Sequence, residues 1–297
     1  RSLGAGKHAA VISGVAYALS GFMIGWAGWP QSNTAAFLPG VFWAAEALVR
    51  RSSWRSACGL GLASSAMIVS NFPVVTGYGI LVGAGYALAR LVQRRKQSGP
   101  WPVVVRGRSL RAFLGLGLGA GLASMHILHF GENLLWADTG PRTRIAADSS
   151  IGAKYLVSFL LPEPFGASHD GQVWWGSTLN WVETQSYAGP AVILLALVSL
   201  VTRSRGVGAS TAGAERAAIV RTWWVIVVAV AWIAYVGGPL TKVLQSLPFL
   251  GHSTVGRARV VANLGLAVLA GLGVQAWADA RAGSADVDVR RGLTRAA

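Results

Sequence analysis

Residues 258–279 read ARVVANLGLAVLAGLGVQAWAD, an apolar run with charge only near its two ends. A helix of this length just crosses the hydrocarbon of a bilayer, which takes about 20 residues. Seven more runs of spanning or near-spanning length lie at 9–28, 34–49, 57–72, 75–93, 111–130, 189–202 and 222–240. The second, third and sixth runs are short and are expected to tilt, re-enter or extend into their flanks. The chain therefore reads as an all-α polytopic transmembrane bundle of about eight helices.

Composition agrees with this reading. Of 297 residues 53% are hydrophobic and only 12% charged, and the mean hydropathy is +0.48, whereas roughly a quarter of residues are charged in soluble domains. Thirty-eight glycines suit close helix contact and 13 tryptophans suit the membrane interface. Gly115, Gly117, Gly119 and Gly121 alternate in LGLGLGAG, which inside a span signals helix packing rather than phosphate binding. The single Cys58 excludes an internal disulfide and a cysteine metal cage, and reads as a packing residue. The chain shows no solenoid repeat, P-loop, HExxH or GxSxG, and no GxGxxG between a strand and a helix.

A net charge of +15 would point to nucleic acid in a soluble protein. Here the basic residues sit in short loops between apolar runs, the positive-inside pattern, so nucleic acid is not an expected partner. Alternating the runs from Arg1 and Lys7 on the cytoplasmic side places 20 of the 26 Lys and Arg residues inside. Arg142, Arg144, Lys154, Lys242, Arg257 and Arg259 remain outside. The expected location is a plasma membrane, crossed several times, with the segment 131–188 on the outer face.

Four regions follow: a bundle of about five helices at 1–130, an extracytoplasmic loop at 131–188, about three helices at 189–281, and a tail at 282–297. The tail has too little apolar content to pack and is expected to be mobile on the cytoplasmic side. The chain opens at Arg1 without Met and is expected to be part of a longer protein. In the loop, YLVSFLL at 155–161, ended by Pro162, predicts a short helix lying in the interface.

The chemistry-bearing residues gather in that loop and beside it. From Gly131 to Ala188 six acids face three bases, with Trp136, Trp174, Trp175 and Trp181 among them. Glu132, Asp138, Glu163, Asp170 and Glu183 are the carboxylates placed to serve as a general base or to ligate a divalent cation by oxygen. Solvated surface acids are the plainer reading, and no metal is implied. Trp174 and Trp175 suit either a saccharide platform or interfacial anchoring. The segment 241–259 supplies Lys242, His252, Arg257 and Arg259, and the turn at 71–78 supplies Asn71 and Tyr78. Two arginines opening a helix on the outer side suit a lipid-linked phosphate, held by guanidinium forks and the helix dipole. Pairing with loop carboxylates or snorkelling would explain them equally. His126 and His129 lie three apart on one helix and read as packing or hydrogen bonding inside the bundle.

Four segments carry a family resemblance in their order: GVAYALSGFMIGWAGWPQSNTAAFLPGVFWAAEALVRR, LLPEPFGASHD, NWVETQSYAGPAVILLALVSL and LPFLGHSTVGRARVVANLGLAVLAGLGV. Together they resemble the YfhO-like bacterial membrane proteins over about Ala9 to Gly273. That family is similar to the GT-C glycosyltransferases, which transfer a sugar from a polyprenyl-phosphate donor to an acceptor outside the cytoplasm. The resemblance touches Glu183, Tyr187, Pro248, Arg257 and Arg259. It implies that the arginines bind lipid phosphate, that Glu183 lines the site, and that the main catalytic acid lies upstream of Arg1. Two other classes stay open. One is a non-catalytic scaffold of envelope assembly. The other is a transporter or flippase of lipid-linked glycans, for which the spans offer few polar residues: Glu46, His126 and Asn263.

Overall fold

The computed structural model describes residues 3–95, 101–137, 150–167, 173–176, 179–201, 211–247 and 250–296; of 101–104, 201, 211–212, 252 and 283–296 it describes the backbone alone. Its regular structure is helical. The helices are α1 (Lys7–Ala18), α2 (Gly21–Gly25), α3 (Pro30–Ala35), α4 (Leu38–Arg51), α5 (Trp54–Val69) and α6 (Pro73–Gln93). After them come α7 (Trp101–Leu122), α8 (Ser124–Trp136), α9 (Pro190–Val201), α10 (Thr211–Tyr235), α11 (Pro239–Gln245) and α12 (Arg259–Ala296). Pro30, Pro73 and Pro239 each open a helix, where the missing N–H is no loss.

Among the described residues three helical stretches are long and apolar enough to cross a membrane: Pro73–Gln93, Gly213–Tyr235 and Val255–Ala282. The pair α7–α8, bent by 74° at Ala123, makes a fourth if taken as one span. The remaining apolar helices are shorter than a bilayer: α1 and α9 have 12 residues, α4 14 and α5 16. Eight expected runs therefore become three or four full-length spans and several short helices. The first run breaks at Leu19 and Ser20 because the loop reaches in there. Gly21 N donates to Tyr187 O at 2.6 Å, and a Cβ on Gly21 would lie 2.3 Å from Tyr187 N. Large apolar side chains such as Leu62, Phe113, Val225, Val228 and Trp232 face outward, as lipid contact requires.

The fold is arranged around α12. It packs against α9, α10 and α1, and most of its apolar length is buried. Three glycines admit the neighbours. A Cβ would lie 2.5 Å from Val227 at Gly265, 2.7 Å from Ala9 O at Gly271 and 1.9 Å from Leu195 O at Gly273. Because α10 and α12 also touch α6, the regions expected as separate bundles share one core, from Tyr17 and Leu38 to Trp223, Val261 and Leu269.

The alternating glycines of α7 divide by face. Gly115 and Gly119 sit 2.5 and 2.7 Å, measured from an ideal Cβ, from the backbone oxygens of Ala57 and Gly61 on α5, whereas Gly117 and Gly121 meet nothing within 4 Å. Half of the stripe packs and half looks outward. Several expectations about burial are corrected. Cys58 is exposed on α5 rather than packed inside. His126 and His129 are exposed as well, because α8 buries none of its residues once it bends away from the bundle. The tail continues α12 as helical backbone to Ala296.

At the end of the bundle where α4 and α6 finish, a buried ion network replaces apolar packing. Glu46 is 1% and Arg90 0% exposed. Arg90 donates from Nε and Nη2 to the two Glu46 oxygens at 3.2 Å each, Tyr86 Oη donates at 2.8 Å, and Arg50 Nε donates at 2.6 Å. Glu215 of α10 accepts from Arg50, Arg90 and Arg94. The network ties α4, α6 and α10 together at their basic ends.

Two stability predictions follow from these contacts. Gly115→Val should lower the detergent melting temperature markedly, by about 1–3 kcal/mol of overpacking or more, while Gly117→Val should change it little. Glu46→Ala removes the carboxylate that two Arg90 nitrogens share and leaves this buried cation as carboxylate partner only the Glu215 it divides with Arg50 and Arg94; it should cost about 3–5 kcal/mol in the same measurement, with Glu46→Met/Arg90→Met recovering most of it.

Candidate functional site

At the opposite end of the bundle the returning loop meets the start of α12. Asn180 Oδ1 accepts from Glu183 N at 3.1 Å, closing a 3₁₀ turn Trp181–Glu183 that buries the Glu183 side chain. A second 3₁₀ turn, Val255–Ala258, runs into α12 and carries Arg257. The two meet: Arg257 Nε donates to both Glu183 oxygens at 3.2 Å, and Nη2 donates to Oε1. Arg257 Nη1 donates to Ser253 Oγ at 2.8 Å. The guanidinium lies against Trp26 and Phe72, 5.6 and 5.1 Å from their ring centres. It is thus a fork bound to a carboxylate between aromatic walls, where such a cation is held more firmly than in water.

Arg259 does different work. It is fully buried and donates to Gln185 O from Nε, to Gly256 O from Nη1 and to Val182 O from Nη2, at 3.0, 3.1 and 2.9 Å. Its cation also lies 5.0 Å from the Phe22 ring centre. These carbonyls engage all three nitrogens, so Arg259 clamps the loop onto α12 and presents no free face to a phosphate in this conformation. Further ties hold the same loop. Ala188 N and Gly189 N donate to Phe159 O, Ser158 Oγ donates to Thr184 O, and Ser186 hydrogen-bonds Tyr235.

Around Arg257 three buried polar atoms, Trp26 Nε1, Tyr78 Oη and Thr254 Oγ1, have no hydrogen-bond partner among the described residues. Buried polar groups are nearly always paired, so unpaired ones collected beside a charge call for an explanation. A ligand carrying hydroxyl and phosphate oxygens supplies such partners.

The other expected site residues scatter. Trp174 Nε1 donates to Leu179 O at 2.8 Å and its ring stacks on Tyr155 at 6.1 Å. Trp175 is 68% exposed, edge-on to Phe165. Lys154 Nζ donates to Gly176 O at 2.7 Å above this aromatic group. The short helix expected here is the 3₁₀ helix Ala153–Phe159, and it sinks Tyr155 and Phe159 into the core instead of lying flat in the interface. Tyr187 contributes its carbonyl to the α1–α2 break, and Lys242 is exposed on α11. Asp170, with Asp138 and His169, lies outside the described residues, as does the side chain of His252. Among the described residues no group of three His, Cys, Asp or Glu side chains can hold a metal. Sequence reasoning named Glu183, Arg257 and Tyr78 but passed over Trp26, Phe72 and Ser253. For the two aromatic residues the available signal was a helix-opening proline one to four residues on, in NFP and GWAGWP; Ser253 had none.

No protein-family model, curated protein or solved structure matches the chain.

Arg259→Ala removes three carbonyl contacts and should loosen 181–189, so limited proteolysis should cut there at least tenfold faster and melting should shift down by several degrees. Arg257→Lys keeps a charge for Glu183 and should leave both readouts near wild type.

Proposed function

We propose that this protein is an integral membrane glycosyltransferase that moves a sugar from a polyprenyl-phosphate donor to an extracytoplasmic cell-envelope acceptor, in the manner of the YfhO-like and GT-C proteins its sequence resembles. In this reading the Arg257 end of the bundle faces outward, and the basic end with Arg50, Arg90 and Arg94 faces the cytoplasm. One observation carries it. Arg257 is a membrane-end guanidinium held in a bidentate geometry between aromatic walls, beside buried polar atoms that lack partners. A phosphate is the ligand whose oxygens match that fork.

The chemistry is a single displacement. Donor phosphate binds Arg257 in place of Glu183, and the freed carboxylate takes the proton of the acceptor hydroxyl. The acceptor oxygen bonds to the anomeric carbon as the bond from that carbon to the phosphate oxygen breaks, and polyprenyl phosphate leaves. Arg257 stabilises the negative charge that grows on the leaving phosphate, where a fixed donor in a dry site does most. Trp26 and Phe72 exclude water and keep the guanidinium oriented.

A second reading has its own support. Both Glu183 oxygens are engaged by Arg257, which equally describes a closed staple in a non-catalytic scaffold of envelope assembly. Little favours a transporter: Glu46 is locked in an ion network and His126 faces outward, which leaves only Asn263, buried without a hydrogen-bond partner among the described residues, of the three polar span residues.

Membranes expressing the protein should transfer radiolabelled sugar from a polyprenyl-phosphate donor. Arg257→Lys, which keeps the charge and loses the fork, should lower the rate by about 10²–10³ with the melting temperature unchanged. Undiminished transfer in Arg257→Lys refutes the role of the fork, and absence of transfer across several donors favours the scaffold.

A further inference from the structure

Away from the Arg257 site, α4 and α5 pack against both α6 and α7, while α6 and α7 hardly touch one another. The space left between them is a cavity of about 470 Å³, within the usual range of about 300–1,000 Å³ for small-molecule sites. Its walls are aliphatic, including Val41, Leu60, Ala84, Leu88 and Leu116. Leu88 is 60% exposed, so the cavity opens sideways, towards where lipid lies. A wall of this kind buried against lipid tails has no driving force to close by itself, and a chain from the bilayer fills it at little cost.

The mouth of the groove is charged. Arg108 and Ser109 of α7 are its polar lining. Arg108 is half-buried and donates from Nε to Leu48 O at 3.2 Å, with no carboxylate beside it among the described residues. One turn on, Arg111 Nη1 donates to Ser52 Oγ at 2.8 Å, its cation lies 5.8 Å from the Trp54 ring centre, and its Nε is buried without a hydrogen-bond partner among the described residues. These two arginines contrast with Arg50, Arg90 and Arg94 nearby, which share two carboxylates. Part of their charge serves the end of α4, where cations complement the helix dipole. Arg108 lines the apolar slot at the level where α7 changes from basic to apolar sequence. Basic pockets between helices at this depth recognise anionic headgroups.

We propose that this groove holds one acyl chain of an anionic phospholipid from the leaflet at the basic end, with the lipid phosphate seated on Arg108. Charge complementarity at the mouth selects the headgroup, and the aliphatic walls take the chain without regard to its identity. The proposal does not depend on the glycosyltransferase reading.

The test uses the full chain purified in detergent, with phosphatidylglycerol and phosphatidylcholine of the same acyl chains titrated separately and bound lipid counted by native mass spectrometry. Phosphatidylglycerol should bind at least fivefold more tightly, the factor expected from one arginine near the membrane surface. Arg108→Gln should bring it down to the level of phosphatidylcholine. Ala84→Phe, which fills the groove, should abolish retention of both. Ser109→Glu gives a second reading of the mouth and should weaken phosphatidylglycerol alone. Equal binding of the two lipids by wild type, or selectivity that survives both Arg108→Gln and Ser109→Glu, overturns the headgroup assignment. Retention unaffected by Ala84→Phe overturns the groove.

Discussion

Backbone-to-backbone approach at α12 is the constraint on which the rest of the structure depends. Gly271 and Gly273 leave no room for a Cβ against the backbones of α1 and α9, and Gly265 none against the Val227 side chain of α10. In lipid the apolar effect does not drive helices together, because tails are as apolar as side chains, so contact area gained through small residues has to do that work. A helix built this way can be surrounded by others, and α12 is. Its first residue is therefore inside the protein as well, and Arg259 arrives at a place where a guanidinium is costly unless its donors are met. The carbonyls of 182–185 and Gly256 meet them. The loop conformation at the candidate site is thus a consequence of how tightly α12 is packed.

The two ends of the bundle solve the problem of buried charge in opposite ways. At the basic end Glu46 and Arg90 neutralise each other within a network that includes Glu215, Arg50 and Arg94. Little of that network is left for a ligand. At the other end the acid and the base come from separate elements, a loop turn and the approach to a helix, and meet beside hydroxyl and indole groups that have no partner among the described residues. A pair that closes by loop placement can also open by loop movement, whereas one built from three packed helices cannot without separating them. The proposed role of the Glu183–Arg257 end rests on this difference.

Much of the site was legible residue by residue, and its connections were not. Glu183, Arg257 and Arg259 stood out because charge is scarce and misplaced on that side of the charge pattern. Nothing in their spacing distinguished the arginine that faces a carboxylate from the one clasped by carbonyls two residues later. On a 3₁₀ turn entering a helix, that offset decides which side chain points outward. Trp26 and Phe72 went unnoticed because aromatic residues near a membrane surface already have an ordinary explanation. The glycine stripe of α7 was read correctly as packing, but only Gly115 and Gly119 pack, since alternate positions fall on different helix faces.

By itself the sequence determined the all-helical class, the presence of apolar stretches long enough to span, the segregation of basic residues into a few turns, and the short list of side chains capable of chemistry. These follow from composition and local periodicity, which depend on each residue and its near neighbours. Tertiary structure decided which runs break, as where Tyr187 meets Gly21 and divides the first one. It decided that the expected bundles share a core, that Cys58 and His126 face outward, and that Glu183 closes on Arg257. Each of these depends on contacts between residues far apart in the chain, and a pattern of period 3.6 carries no record of which partner will stand opposite a given face.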